Sequence, residues 1–146
     1  MIQNTYAKPF GFTIGKLGSA TDTSVETIRY YERIGLMAAP PRTPAGYRLY
    51  SDDSVRRLAF IRRARRLEFS LNETAELLEH RDGTPVCGRV QELAANKMDQ
   101  LEAEAHRLMS ARKEIQKLAA QCAPECSHDA CEFVTALDES AELALV

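Results

Sequence analysis

Between Cys87 and Cys122 an apolar residue falls on every seventh position, at Ala94, Leu101, Leu108 and Ile115, and the same count extended either way lands on the two thiols. Met98, Ala105 and Ala119 occupy intervening positions, with Arg112 the one polar intruder, which is the 4-3 alternation of a helix that requires a partner. An α-helix rises about 1.5 Å per residue, so the 35 residues from one thiol to the other span roughly 50 Å. One chain therefore cannot bring these sulfurs together. Two copies packed antiparallel set the start of one helix beside the end of the other, and Cys87 then faces Cys122 of the mate, giving two equivalent sites per dimer. The competing reading of these thiols is as small buried hydrophobes, the common fate of a free cysteine.

A chain of 146 residues with 45% hydrophobic content forms one small domain plus an appendage, and dimerisation would supply the missing burial. No apolar run approaches the length of a membrane span, and the opening MIQNTYAKPFGF lacks the pattern of a secretion signal, so a cytoplasmic protein without membrane contact is expected. The net charge of −2 conceals a division: residues 1–70 carry 12 Lys/Arg against 6 Asp/Glu, net +6, and residues 71–146 carry 7 against 15, net −8. The basic half suits phosphate and the acidic half a cation. Cys122, Cys126 and Cys131 fall within ten residues. In a reducing compartment such clustering points to metal binding or redox sensing rather than disulfides.

Residues 1–11 read as a flexible arm. A short helix from Thr13 carries Ile14, Leu17 and Ala20, with Gly15 and Gly18 unfavourable inside it. Thr21-Asp22-Thr23 is a turn, and Thr23 with Glu26 forms a capping-box pattern that opens a second helix. That helix turns Val25, Ile28, Tyr31 and Ile34 to the core and ends at Gly35. Helix, tight turn and capped helix is helix-turn-helix grammar. Thr27, Arg29 and Tyr30 lie off the apolar stripe, where they reach a major groove or remain solvated.

The stretch from Pro40 to Tyr50 cannot be helical, and a turn at Ala45-Gly46 between extended arms gives a wing. Arg48 there reaches a phosphate or a minor groove, while Tyr47 and Tyr50 either donate hydroxyls or fill the underside of the wing. A third helix from Ser51 to about Glu68 buries Val55, Leu58, Ile61 and Leu67, and carries Arg56, Arg57, Arg62, Arg63, Arg65 and Arg66 on its other faces. One or two of these arginines are expected on phosphate. Ser70 with Glu73 caps a fourth helix that buries Leu71, Ala75, Leu77 and Leu78, and His80 to Pro85 forms a hinge.

Thr13-Ile14-Gly15, Val25-Glu26-Thr27-Ile28-Arg29-Tyr30-Tyr31-Glu32 and Gly46-Tyr47-Arg48-Leu49-Tyr50, in that order, closely resemble the mercury-resistance regulator (MerR) family of bacterial transcription factors. Phe69-Ser70-Leu71, the long helix and the terminal cysteines extend the resemblance to about residue 137. The resemblance implies a mainly α chain: a winged helix-turn-helix DNA-binding domain over 12–82, a long antiparallel coiled-coil dimerisation helix over 83–121, a metal-binding loop and short helix over 122–137, and a tail over 138–146. It implies a homodimer on promoter DNA that bends and untwists the duplex for RNA polymerase when an effector binds, and no catalysed reaction. The implied DNA-contacting set is Thr27, Arg29, Tyr30 and Tyr31 with Arg42, Tyr47, Arg48 and Tyr50.

Matched residue by residue, Cys87, Cys122 and Cys131 fall on the three thiolate positions of the branch that senses divalent ions. Three thiolates suit a soft ion. Asp82-Gly83-Thr84 and the eight residues between Cys122 and Cys131 most resemble the mercury sensors, although lead and cadmium sensors share the second spacing. Zinc sensors place an additional Cys and His in this loop, so Cys126 and His128 are either further metal ligands or unliganded loop residues. A redox sensor holding an iron–sulfur cluster on Cys122, Cys126 and Cys131 is the second reading, disfavoured by the remote fourth cysteine. An enzyme with a nucleophilic cysteine is the third, and no strand-to-helix scaffold supports it.

Overall fold

The computed structural model describes residues 11–83, 86–122 and 131–142, with side chains to 138. Cys126 and His128, most of the N-terminal arm and the end of the tail lie outside the described residues. The chain is mainly α and divides into two compact units, Met1–Leu93 and Ala94–Val146. Its helices are α1 (Ile14–Thr21), α2 (Val25–Arg33), α3 (Asp52–Arg66), α4 (Leu71–Asp82), α5 (Cys87–Ala120) and α6 (Glu132–Glu142).

The first unit is built around Leu17, Ile28, Tyr31, Leu36, Met37, Tyr50, Leu58, Ile61 and Leu78, which form one buried cluster. Each fully buried Leu or Ile contributes about 1.5–3 kcal/mol by leaving water. The stripes read for the first four helices hold at Leu17, Ile28, Tyr31, Leu58, Ile61 and Leu78, and fail at the helix ends: Ile34 and Leu67 are exposed, as is Ala20. Each of these three lies in or beyond the last turn of its helix, where the chain leaves the core and periodicity no longer describes its direction. Leu36 and Met37, directly after the positive-φ Gly35, take the space instead.

The turn from α1 to α2 differs from the expected capping box. Ser24, not Thr23, is the N-cap of α2, and its hydroxyl accepts from the Thr27 amide at 3.0 Å. Thr23 is already committed to the turn, its amide donating to the Gly18 carbonyl at 2.9 Å and its hydroxyl to the Thr21 carbonyl at 3.2 Å. Gly18 is buried there, and a Cβ on it would come within 2.5 Å of the Thr23 carbonyl oxygen. The glycine that weakens the helix is what lets the turn close.

The capping box at Ser70 and Glu73 is present in both directions. Thr74, fully buried, returns its hydroxyl to the Ser70 carbonyl at 2.7 Å. Helix α4 continues through His80, Arg81 and Asp82, the first three residues of the expected hinge, and Thr84 and Pro85 lie outside the described residues. Helix α6 runs to Glu142, beyond residue 137 where it was expected to end.

The non-helical loop after α2 contains no strand among the described residues. It holds two isolated antiparallel bridges, Phe12 with Tyr50 and Arg42 with Arg48. Between the latter pair the chain reverses at Gly46, φ +85°, closed by the Thr43 amide on the Tyr47 carbonyl at 2.7 Å.

Candidate nucleic-acid interface and thiol sites

Arg29 extends from α2 into a cleft of about 200 Å³, which it lines together with Arg42, Tyr47 and Arg48 from the reversed loop. Thr13 and Ile14, where α1 begins, form another wall, and Tyr50 also lines it. The cleft therefore gathers three guanidinium groups and one freely exposed phenol, Tyr47. Arg42 donates to the Gly46 carbonyl at 2.9 Å, which braces the turn. Thr13 and Ile14 are legible in the sequence as the start of α1 and as part of the family motif, but not as lining of this cleft.

Tyr50 and Tyr31 belong to the core rather than to the open face. The Tyr50 hydroxyl donates to Glu32 Oε1 at 2.5 Å. Burial, then the bond to Glu32 and its charge, push the phenol up to about 12. Thr27 and Tyr31 line a second cleft of about 560 Å³, with Ser24 and with Arg62, Arg65 and Arg66 of α3. Tyr30 stands on the surface with the Arg33 guanidinium 5.8 Å from its ring centroid, within cation–π range.

The arginines of α3 divide into two groups. Arg57 donates to the Leu36 carbonyl at 2.7 Å and pairs with Asp82, and Arg62 bonds the Thr21 carbonyl and Asp22, so both tie α3 to neighbouring segments. Arg65 bonds the Phe69 carbonyl and Arg56 sits 3.7 Å from Asp53. Arg63 and Arg66 are exposed and have no ion pair among the described residues. A run of like charge in sequence thus mixes internal clamps with free cations.

Cys87 is the first residue of α5, Cys122 lies just past its last, and Cys131 directly precedes α6. None of the three is in a disulfide; the first two are exposed and the third is half-buried. Among the described residues no group of three or more His, Cys, Asp or Glu side chains is arranged to hold a metal ion. The three thiols are a donor set that fits a soft, thiophilic ion. Along α5, Ala94, Met98, Leu101, Ala105, Leu108, Ile115 and Ala119 are all exposed, so the apolar seam is bare on the single chain. Two residues after Cys87, Arg89 pairs with Glu76 of α4 and with Glu92. The hydrogen bond from Arg89 holds the Glu76 carboxyl below the usual carboxylate range.

A turn-linked pair of helices, a basic cleft and a long helix after them define the class: a helix-turn-helix DNA-binding regulator. The family model described as MerR HTH family regulatory protein matches residues 12–81, and that described as MerR, DNA binding matches residues 55–118. The chain belongs to the MerR family of transcriptional regulators and is not an enzyme. It is 34% identical over 132 residues to the mercuric resistance operon regulatory protein of Pseudomonas fluorescens, covering 90% of this chain and 91% of that one. It is also 34% identical over 133 residues to the HTH-type transcriptional regulator ZntR of Escherichia coli, covering 89% and 94%. Among solved structures, the transcription regulator PbrR691 from Ralstonia metallidurans CH34 in complex with lead(II) superposes with a TM-score of 0.75 at 33% identity, covering 85% of this chain and 97% of that one.

Proposed function

We propose that the protein is a cytoplasmic, metal-responsive transcriptional regulator that acts as a homodimer on promoter DNA. The α5 seams of two subunits pair antiparallel, and Cys87 of one subunit with Cys122 and Cys131 of the partner subunit hold a soft divalent ion. Mercury is the first choice, with cadmium, lead and zinc close behind. Cys126 and His128 are additional candidate donors. The single observation that carries this reading is the exposed heptad stripe of α5 with a cysteine outside any disulfide at each end. A mercuric resistance operon regulator and a lead(II)-bound transcription regulator, relatives at similar identity, support a metal effector and leave its identity to experiment.

The arginine cleft and the exposed Arg63 and Arg66 supply phosphate contacts, with Thr27, Arg29 and Tyr30 nearest the base edges. Effector binding biases two dimer shapes of similar energy, one of which bends and untwists the duplex so that RNA polymerase can engage it; deforming DNA in this way costs a few kcal/mol. The first test is equilibrium titration of the wild type and Cys87→Ser with mercury(II), cadmium(II), lead(II) and zinc(II). Two ions per wild-type dimer and a collapse of affinity in the variant are expected. An unchanged stoichiometry and affinity in Cys87→Ser would refute the shared site. Transcription in vitro against the same ions ranks the effectors.

A further inference from the structure

Glu32, near the C-terminal end of α2, has a side chain only 9% exposed, yet two donors converge on it from the loop after α2. The Tyr50 hydroxyl donates to Oε1 at 2.5 Å and Arg48 Nη1 donates to Oε2 at 3.5 Å. The two donors differ in what lies behind them. Tyr50 is wholly buried and its backbone is bridged to Phe12, with both amides donating across the bridge at 2.8 Å, so it is a fixed anchor. Arg48 is 37% exposed and lines the cleft that also receives Arg29 and Arg42.

A guanidinium carries five N–H donors in a rigid planar fork, so an edge engaged by a carboxylate leaves another edge free. The bridge between Arg42 and Arg48 sets where the Arg48 backbone lies, and the carboxylate sets where its head points. Three cations in so small a cleft repel one another, and a shielded anion behind one of them relieves that repulsion without facing the ligand.

We propose that Glu32 is a positioning residue for DNA binding: anchored on Tyr50, it holds one edge of the Arg48 guanidinium and presents the other to a backbone phosphate in the cleft with Arg29 and Arg42. The proposal deepens the nucleic-acid reading above and rests on it. It separates Glu32 from a residue that merely stabilises the fold, because a lost phosphate contact changes how affinity depends on salt.

The test measures affinity of the full-length protein for a mixed-sequence DNA duplex over a salt series, together with thermal melting, for wild type, E32Q, R48A, the double variant and S70A. The E32Q amide still accepts from Tyr50 but no longer carries the charge that orients Arg48. R48A should lower the magnitude of the slope of log affinity against log salt by about 0.9, the loss of one phosphate contact. E32Q should lower it comparably and weaken binding at low salt, and adding E32Q to R48A should change the slope no further. S70A, which removes a helix cap away from the cleft, should lower the melting temperature and leave the slope alone. A wild-type slope in E32Q beside a reduced one in R48A overturns the proposal, as does tighter binding with a steeper slope, which would make Glu32 a mere neutraliser of Arg48. A wild-type slope in R48A overturns the nucleic-acid reading of the cleft and the proposal with it. If E32Q does not fold, E32D, which retracts the charge by one methylene, replaces it: a reduced slope supports the proposal and an unchanged one overturns it.

Discussion

Tyr50 is the residue at which core and surface chemistry meet, and its ionisation gives a prediction with a definite sign. The ordinary phenol value is 10.0 and burial raises it to about 12 in the folded chain. Between those values the unfolded chain loses the proton first, so the folded state binds more protons and stability falls as pH rises. The contribution is fully present below pH 10.0 and is lost through about 12, amounting to about 2–3 kcal/mol over the window. Urea unfolding from about pH 8 upward should show this decline in the wild type and its absence in Tyr50→Phe. Equal alkaline declines in both proteins would contradict the assignment. From sequence, Tyr47 and Tyr50 were equivalent candidates for packing or contact. They part because Tyr50 is bridged to Phe12, a pairing across 38 residues that no local pattern contains.

Among the elements, α1 and α2 with their turn are the most sensitive to a small change. Gly18→Ala would improve helix propensity in isolation, yet it drives a methyl into the Thr23 carbonyl, whose neighbouring amide already bonds back to Gly18. The expected result is a loss of about 1–3 kcal/mol by chemical denaturation, with weaker DNA binding as α2 shifts. A stabilised Gly18→Ala would show that the turn yields easily. How much of an element was legible depended on whether its signal was local. Ser70 and Glu73 could be paired from sequence because both halves of the capping box lie within one turn of chain. Ser24 could not be preferred to Thr23, since the choice depends on where the Gly18 carbonyl ends up. The six arginines of α3 were legible as a basic face, but Arg57 and Arg62 are partly committed to carbonyls of other segments, contacts created by tertiary structure. The cleft itself was legible in its residues, Arg29, Arg42, Tyr47 and Arg48, and not in its other wall, Thr13 and Ile14.

At the scale of the whole molecule, the bare stripe of α5 sets the behaviour. Leu108 lies on the stripe and is exposed on the single chain, so placing a carboxylate there leaves the chain's own core intact and disfavours pairing. Leu108→Asp should sediment as a monomer where the wild type sediments as a dimer, and should lose mercury(II) affinity while keeping its helical circular dichroism. A Leu108→Asp protein that remains dimeric and metal-competent would move the interface elsewhere. The 34-residue α5 also has a consequence for the cell. A receptor assembled from two half-sites exists in proportion to the square of the chain's abundance when chains are scarce, so halving expression removes about three quarters of the sensors. On the proposed pairing, gene dosage therefore sets the alarm threshold alongside the chemistry of sulfur.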